Sequence, residues 1–163
     1  MAYNTIKVKK YSDVIEEYEA AAAITPGMLV EVAAGLETIQ AHSTDGGNAL
    51  PMFALEDEMQ GNEIDDDYAA GDPVQVWIPY RGDIVYVLLA DDEVIEIGDW
   101  LVSDGEGKVK ELEVDAGDTG EAEFTMPIVG QALEARDQTM IPSGSESSAG
   151  GDYYNPRILM RVV

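Results

Sequence analysis

The chain of 163 residues carries 33 acidic side chains against nine Lys and Arg, a formal net charge of -24. This charge repels phosphate and anionic lipid, so we predict neither a nucleic-acid partner nor a membrane partner. The absence of Cys excludes disulfides and a thiol nucleophile, and the single His, His42, excludes a metal centre built from several imidazoles. The length and the 45% of hydrophobic residues predict one domain with a substantial core.

The N-terminal segment, residues 1–26, differs in composition from the rest of the chain. Lys7, Lys9 and Lys10 alternate with Ile6 and Val8, which predicts a short extended stretch with one basic face. Residues 1–10 lack the apolar core and the cleavage site of a signal peptide. No apolar run in the chain reaches the ~18 residues of a membrane span.

A short helix is predicted over residues 13–23. Asp13 and Glu16 have the spacing of a capping box, and Val14, Ile15 and Tyr18 fall on one helical face. The TPG sequence at 25–27 ends it. If extended, the first 25 residues would span about 80 Å, far more than the ~14 Å radius of gyration of a compact domain. We therefore expect residues 1–26 to form an arm that grips neighbouring molecules, and 27–163 to form the compact domain.

From residue 28 onward the pattern is that of strands and glycine turns. Alternation or short apolar runs predict strands at 28–32, 37–42, 51–55, 73–78, 84–89, 100–102, 108–112, 124–133 and 157–163. The first two of these are expected to pair as a hairpin, as are 100–102 and 108–112. The run at 84–89 is apolar on both faces, which predicts a central, doubly covered strand. The fold class is therefore all-β, a small barrel or sandwich, with an extended and partly helical N-terminal arm.

Two segments are predicted to be loops. Residues 56–71 are acidic, and residues 139–152 include the low-complexity sequence SGSESSAGG, which predicts a flexible surface loop. No Lys or Arg occurs between Tyr11 and Tyr80, although that stretch holds fifteen acids. Its carboxylates are expected to be solvated, with a bound cation or a basic partner as the alternatives.

Three residue groups contain side chains of the kind found in chemical sites, and none indicates catalysis. Asp118-Thr119-Gly120 spells the aspartic protease triplet but follows a turn rather than an apolar strand. His42 lies beside Ser43 without a nucleophile elbow, and a His at a strand end is expected at the surface. The acids of 63–72 lack the EF-hand pattern. We predict no enzyme activity, no metal and no cofactor.

Six sequence segments resemble the head decoration proteins, also called capsid cement proteins, of tailed double-stranded DNA viruses. The matching segments are EEYEAAAAIT at 16–25, HSTDGG at 42–47, MFALEDEMQG at 52–61, IDDDYAAGDPVQVWIPYRGD at 64–83, IGDWLVSDGEG at 97–107 and IVGQALEA at 128–135. The resemblance implies a non-enzymatic β-rich protein of the virion, on the outer surface of the icosahedral capsid after assembly in the host cytoplasm. It implies contacts with the major capsid protein, and a homotrimer or contacts with neighbouring copies.

The arm is the expected capsid contact, because it combines positive charge with apolar anchors. The predicted contact residues are Ile6, Lys7, Val8, Lys9, Lys10, Tyr11 and Tyr18. The acidic body is then expected to face solvent outside the shell. Two other functions stay open at this point: a β-sandwich adhesion module that binds glycans, for which Tyr153 and Tyr154 are the candidate aromatics, and a small acid hydrolase or protease.

Overall fold

The computed structural model describes residues 3–11, 13–34, 37–113, 128–139 and 156–163. Within these ranges the chain forms thirteen strands and no helix, so the all-β prediction is confirmed. The strands are β1 (Lys7–Lys9), β2 (Ile15–Ala20), β3 (Val30–Val32), β4 (Thr38–Ala41), β5 (Phe53–Ala54), β6 (Pro73–Trp77), β7 (Ile84–Leu88), β8 (Val94–Ile95), β9 (Trp100–Ser103), β10 (Val109–Glu111), β11 (Gly130–Ala132), β12 (Arg136–Asp137) and β13 (Arg157–Val162). Among the described residues there is no helix long and apolar enough to cross a membrane.

The strands form two main sheets. One has six strands in the order β1-β7-β13-β11-β9-β10, the other five in the order β3-β4-β2-β6-β5, and β8 and β12 form a short ribbon. Both predicted hairpins are confirmed, since β3 pairs with β4 and β9 with β10, each antiparallel. The turn at 79–83 does not form a hairpin, because β6 and β7 belong to different sheets. It carries the chain from one sheet to the other.

The main core lies between the two sheets. Phe53 and Trp77 from the five-stranded sheet pack with side chains such as Val87 and Leu101 from the six-stranded sheet, and all four are fully buried. The prediction of a central β7 is confirmed, because it lies between β1 and β13 and four of its five residues are buried. A second cluster of buried apolar residues, which includes Ile24 and Ile39, lines the five-stranded sheet.

The predicted helix at 13–23 is wrong, because residues 15–20 form β2. This strand lies in the middle of its sheet, antiparallel to β6 and parallel to β4. Burial follows a period of two at its end, where Ala20 is buried and Glu19 is exposed. The helix propensity of the alanines amounts to a few tenths of a kcal/mol per residue. Pairing of β2 with β4 and β6 outweighs this helix propensity, because the sheet satisfies the backbone N–H and C=O groups that a helix would otherwise pair.

Residues 6–24 are part of the β domain rather than a detached arm. β1 pairs with β7, and β2 pairs with β6, so the segment contributes one strand to each sheet. Ile6 is fully buried in the main core, and its backbone amide donates to the Glu56 carboxylate at 3.2 Å. Burying one such side chain contributes roughly 1.5–3 kcal/mol, which adds to the strand pairing that holds the segment against its own domain.

Tyr68 is a buried ionisable group of the second core cluster. Its hydroxyl donates to the Leu55 carbonyl at 2.8 Å. Burial, together with the negative charges of Asp57 and Glu56, raises the pKa of Tyr68 to about 12. The folded state then keeps a proton that the unfolded chain releases from pH ~10 upward. Stability from this group is complete below pH ~10 and is lost as pH rises through about 12.

We expect the free energy of unfolding to fall by up to about 1.4 kcal/mol per pH unit between pH ~10 and 12 because of Tyr68. Tyr68→Phe should cost about 1 kcal/mol at neutral pH, through the lost hydrogen bond, and should remove this part of the alkaline decline. Urea unfolding of both proteins at a series of pH values measures the difference. Parallel declines in the two proteins would contradict the assignment.

Candidate interaction surface

The predicted contact residues are placed in three different environments. Lys7, Val8 and Lys9 form the edge strand β1, and Lys10 and Tyr11 follow it directly. Ile6 is buried and therefore serves the core, not a contact surface. Tyr18 lies in the five-stranded sheet opposite Val74, and its hydroxyl donates to the Glu16 carboxylate. The structure therefore groups residues 7–11 and leaves Ile6 and Tyr18 out of that group.

Asp83 joins the end of this segment to the turn at 79–83. Its carboxylate is fully buried and accepts the backbone amide of Tyr11 at 2.6 Å and that of Tyr80 at 2.8 Å. The Asp83 amide donates back to the Tyr80 carbonyl, which closes the turn. Gly82 supplies the left-handed backbone there, with φ of 95°. As a result Tyr80 and Arg81 lie beside Lys10 and Tyr11.

The strand register adds one more cation to the group. In β7, Ile84 lies opposite Lys9 of β1 on one side and Arg161 of β13 on the other. Directly opposite residues in antiparallel strands share a face of the sheet. Lys9, Ile84 and Arg161 therefore share one face. We call the whole group the basic end, with the members Lys7, Lys9, Lys10, Tyr11, Tyr80, Arg81 and Arg161.

The basic end holds five of the nine Lys and Arg residues. Lys7 and Lys10 contact Asp13 at 3.6 and 2.5 Å. The hydrogen bond from Lys10 is the main cause that lowers the pKa of Asp13. Lys9 lies over the Tyr11 ring, 5.5 Å from its centroid. Arg81 and Arg161 form no ion pair with any residue that the structure describes.

The other four cationic side chains are engaged elsewhere in the fold. Three pair with acids, and Arg136 donates to the hydroxyl of Tyr86 at 3.4 Å and to the Arg157 carbonyl at 3.1 Å. The three ion pairs are Lys108–Asp91, Lys110–Asp45 and Arg157–Asp65. Within the part of the chain that the structure describes, four cations have no carboxylate partner, and three of them, Lys9, Arg81 and Arg161, lie at the basic end. The lysines are adjacent in the sequence, but Tyr80, Arg81 and Arg161 join them only through the fold.

The face that carries Lys9 and Arg161 continues across the six-stranded sheet. Arg161 lies opposite Gln131 of β11, and Gln131 lies opposite Trp100 of β9. Trp100 is 44% exposed. One row of side chains therefore runs from a basic edge at β1 to an exposed aromatic residue near the other edge. Nothing in the sequence pattern indicated that Trp100 shares a face with the lysines.

His42 is buried, so the expectation that it lies at the surface is wrong. Its Nδ1 is 2.7 Å from the hydroxyl oxygen of Ser103, and its Nε2 is 3.2 Å from the Asn48 carbonyl. The hydroxyl of the neighbouring Ser43 donates to Glu31. Ser103 is fully buried, so its hydroxyl is not accessible to a substrate. The imidazole connects β4, β9 and the loop before β5.

We expect His42→Ala to lower the free energy of unfolding by about 2–4 kcal/mol, because it opens a cavity and leaves buried polar groups without partners. Ser43→Ala, at the neighbouring exposed position, is the control and should cost less than about 1 kcal/mol. Chemical denaturation of the two variants makes the comparison. A His42→Ala protein as stable as Ser43→Ala would contradict a structural role for the ring.

Three of the acids in 63–72 have structural partners within the fold. Asp66 accepts the Glu63 amide at 2.7 Å, Asp72 accepts the Ala69 amide at 2.8 Å, and Asp65 pairs with Arg157. No group of three or more His, Asp or Glu converges as a metal site would require within the described ranges. The triplet at 118–120, Tyr153, Tyr154 and the loop at 140–152 lie outside the described residues.

The fold of this chain is similar to that of a solved phage structure. No family model matches the chain, and no curated protein is similar to it. Among solved structures it is similar to the head fiber gp8.5 N base of bacteriophage phi29, with a TM-score of 0.54 and 13% sequence identity. The match covers 93% of this chain and 95% of that chain. At this identity the likeness shows a shared all-β fold over nearly the whole length of both chains.

Proposed function

We propose that this chain is a non-enzymatic structural protein of a phage head. The observation that carries the proposal is the fold likeness to a head fiber base over almost the full length of both chains. The resemblance of six sequence segments to head decoration proteins supports it independently. The buried position of the His42 and Ser103 pair argues against the hydrolase alternative, since a catalytic hydroxyl must reach its substrate.

Within that class, we propose a decoration protein that binds the outer surface of the capsid through the basic end. Lys9, Arg81 and Arg161 offer positive charge with no carboxylate partner among the described residues. In a chain of net charge -24, this end is the surface best able to approach an acidic surface of a partner, which we take to be the major capsid protein. The exposed acids of the loop at 56–71, such as Glu58 and Glu63, would then face solvent.

Stabilisation of the shell follows from linkage. A protein that binds the mature shell better than free capsid subunits stabilises the shell by RT ln(1 + [L]/Kd), about 4 kcal/mol per site at a thousandfold excess over Kd. Repeated sites over an icosahedral lattice multiply the effect, and a homotrimer or contacts between neighbouring copies would add avidity.

A paired charge reversal tests the shell contact. Arg81→Glu combined with Arg161→Glu should weaken binding to purified capsids about tenfold or more, because like charges then meet across the contact. Lys108→Glu combined with Lys110→Glu is the matched control, since it reverses two cations that pair with Asp91 and Asp45 away from the basic end. Quantitative mass spectrometry of washed capsids reports copies per shell. Equal occupancy by all three proteins would exclude the basic end as the contact.

A glycan-binding adhesion module on the virion is the second candidate. The exposed Trp100 on an open sheet face favours it, because aromatic faces stack on sugar rings. Loss of glycan-array binding in Trp100→Ala, with capsid occupancy unchanged, would support this alternative over the decoration role.

A further inference from the structure

The two tyrosines of the basic end share one buried anchor and are both exposed. Tyr11 is 71% exposed and Tyr80 is 63% exposed, although the backbone amides of both donate to the buried Asp83 carboxylate. Exposed aromatic side chains on a fixed backbone are typical of contact surfaces, because they supply area at low entropic cost.

The space above Gly82, beside the Tyr11 ring, is open. A Cβ added to Gly82 would meet nothing nearer than the edge of the Tyr11 ring at 3.9 Å. Lys9 Nζ lies over the same ring, and Arg81 is exposed in the turn between Tyr80 and Gly82. The site therefore combines the Tyr11 ring beside Gly82, an exposed Tyr80 in the same turn, and the cationic side chains of Lys9 and Arg81.

The positive charges of Lys9, Arg81 and Arg161 indicate an anionic partner. The net charge of -24 on the whole chain indicates which class of anion that partner is. Duplex DNA carries one phosphate per ~1.7 Å, so a body of net charge -24 repels it strongly. An acidic protein segment has fewer charges per unit length and offers apolar groups to Tyr11 and Tyr80. The combination of aromatic and cationic side chains fits such a segment better than a polyphosphate.

We propose that Tyr11 and Tyr80, with Lys9, Arg81 and Arg161, form a recognition site for an acidic segment of a protein partner, and that Asp83 is the positioning residue of this site. Asp83 acts through the two backbone amides and does not touch the partner. The recognition of an acidic segment is argued from the residues of the site alone. Only the identification of the partner as the shell protein rests on the proposed function.

An NMR titration of the full chain with a ten-residue oligoglutamate tests the recognition. At about 0.1 M salt, saturable shifts should centre on the amides of Tyr11, Tyr80 and Gly82. Tyr11→Ala with Tyr80→Ala should weaken binding fivefold or more, and Met59→Ala, at a residue 93% exposed elsewhere, should not. Absent shifts, shifts spread over all lysines, or equal affinity for a ten-nucleotide thymidine strand would each overturn the proposal.

Asp83→Asn separates positioning from charge. The substitution removes a negative charge beneath the cationic side chains of the site, so electrostatics alone would tighten binding of oligoglutamate. An amide side chain has only one acceptor oxygen, so the backbone amide of either Tyr11 or Tyr80 loses its partner. The two rings then lose their fixed position relative to each other. Weaker binding by a protein whose spectrum remains well dispersed supports the positioning role. Tighter or unchanged binding overturns it.

The oligoglutamate titrations and the capsid-occupancy measurements test different statements, so one can fail while the other succeeds. Oligoglutamate binding together with unchanged capsid occupancy of the Arg81→Glu and Arg161→Glu protein would leave the recognition site standing and remove the shell as its partner. Occupancy that depends on the two arginines without any oligoglutamate binding would leave the proposed function standing and overturn this inference.

Discussion

Arg157→Met is expected to lower the free energy of unfolding by about 2–4 kcal/mol, because it removes a buried cation that holds the partly exposed Asp65 and two backbone carbonyls. Arg157 is buried on β13, and its Nη1 donates to Asp65 at 2.7 Å. Its Nη2 donates to the carbonyls of Pro26, at 3.0 Å, and Ile64. The change therefore leaves two carbonyl acceptors without this donor and releases the acidic loop from the sheet.

Arg161→Met, four residues along the same strand, is the matched control. Arg161 is exposed, so the same loss of charge and shape should change stability by less than about 1 kcal/mol. Urea unfolding gives the stabilities. A glutamate-specific protease should also cut Arg157→Met faster in the loop at 56–71, which holds Glu56, Glu58 and Glu63. Similar stabilities for the two variants would show that Arg157 is not the anchor of the loop.

Gly130→Ala is expected to cost about 2–3 kcal/mol by overpacking. Gly130 lies on β11, opposite Val162 of β13. A Cβ there would overlap Cγ and Sδ of Met160 and would lie 2.7 Å from the Arg161 carbonyl oxygen. The methionine can shift, but the carbonyl belongs to a strand paired on both sides, so the sheet itself must move.

The double variant Gly130→Ala with Met160→Ala measures the two contributions. If the Met160 side chain is the main obstacle, the double variant should be less destabilised than the sum of the two single variants, by about 1 kcal/mol or more. If the Arg161 carbonyl dominates, the costs should add. A stable Gly130→Ala protein would contradict the close approach of β11 and β13.

Local sequence patterns were sufficient for most of the strands. The alternation at 73–78 and the apolar run at 84–89 correspond to β6 and β7. The turns near Ala34 and Gly105 each lie between the two strands of one hairpin. These features depend on neighbours within a few residues, which a pattern can report. The two-residue strands β8 and β12 were not predicted, because neither lies in an apolar run such as the one at 51–55 that contains the equally short β5.

Patterns failed where the deciding contact is distant in sequence. Residues 15–20 have a helical spacing of apolar side chains, and pairing with β6, more than fifty residues away, makes them a strand. His42 is buried because Ser103 reaches it from another sheet. Neither partner is visible from the local sequence, and in both cases the energy of the distant contact exceeds the local preference.

The sequence by itself determined the charge of -24, the all-β class and the basic character of residues 7–10. Only the tertiary structure decided which groups join those lysines. Asp83 brings Tyr80 and Arg81 beside Tyr11, and the pairing of β7 with β13 brings Arg161 beside Lys9. The reason is physical: a composition fixes how much charge a chain carries, but buried hydrogen bonds and strand register fix where that charge lies.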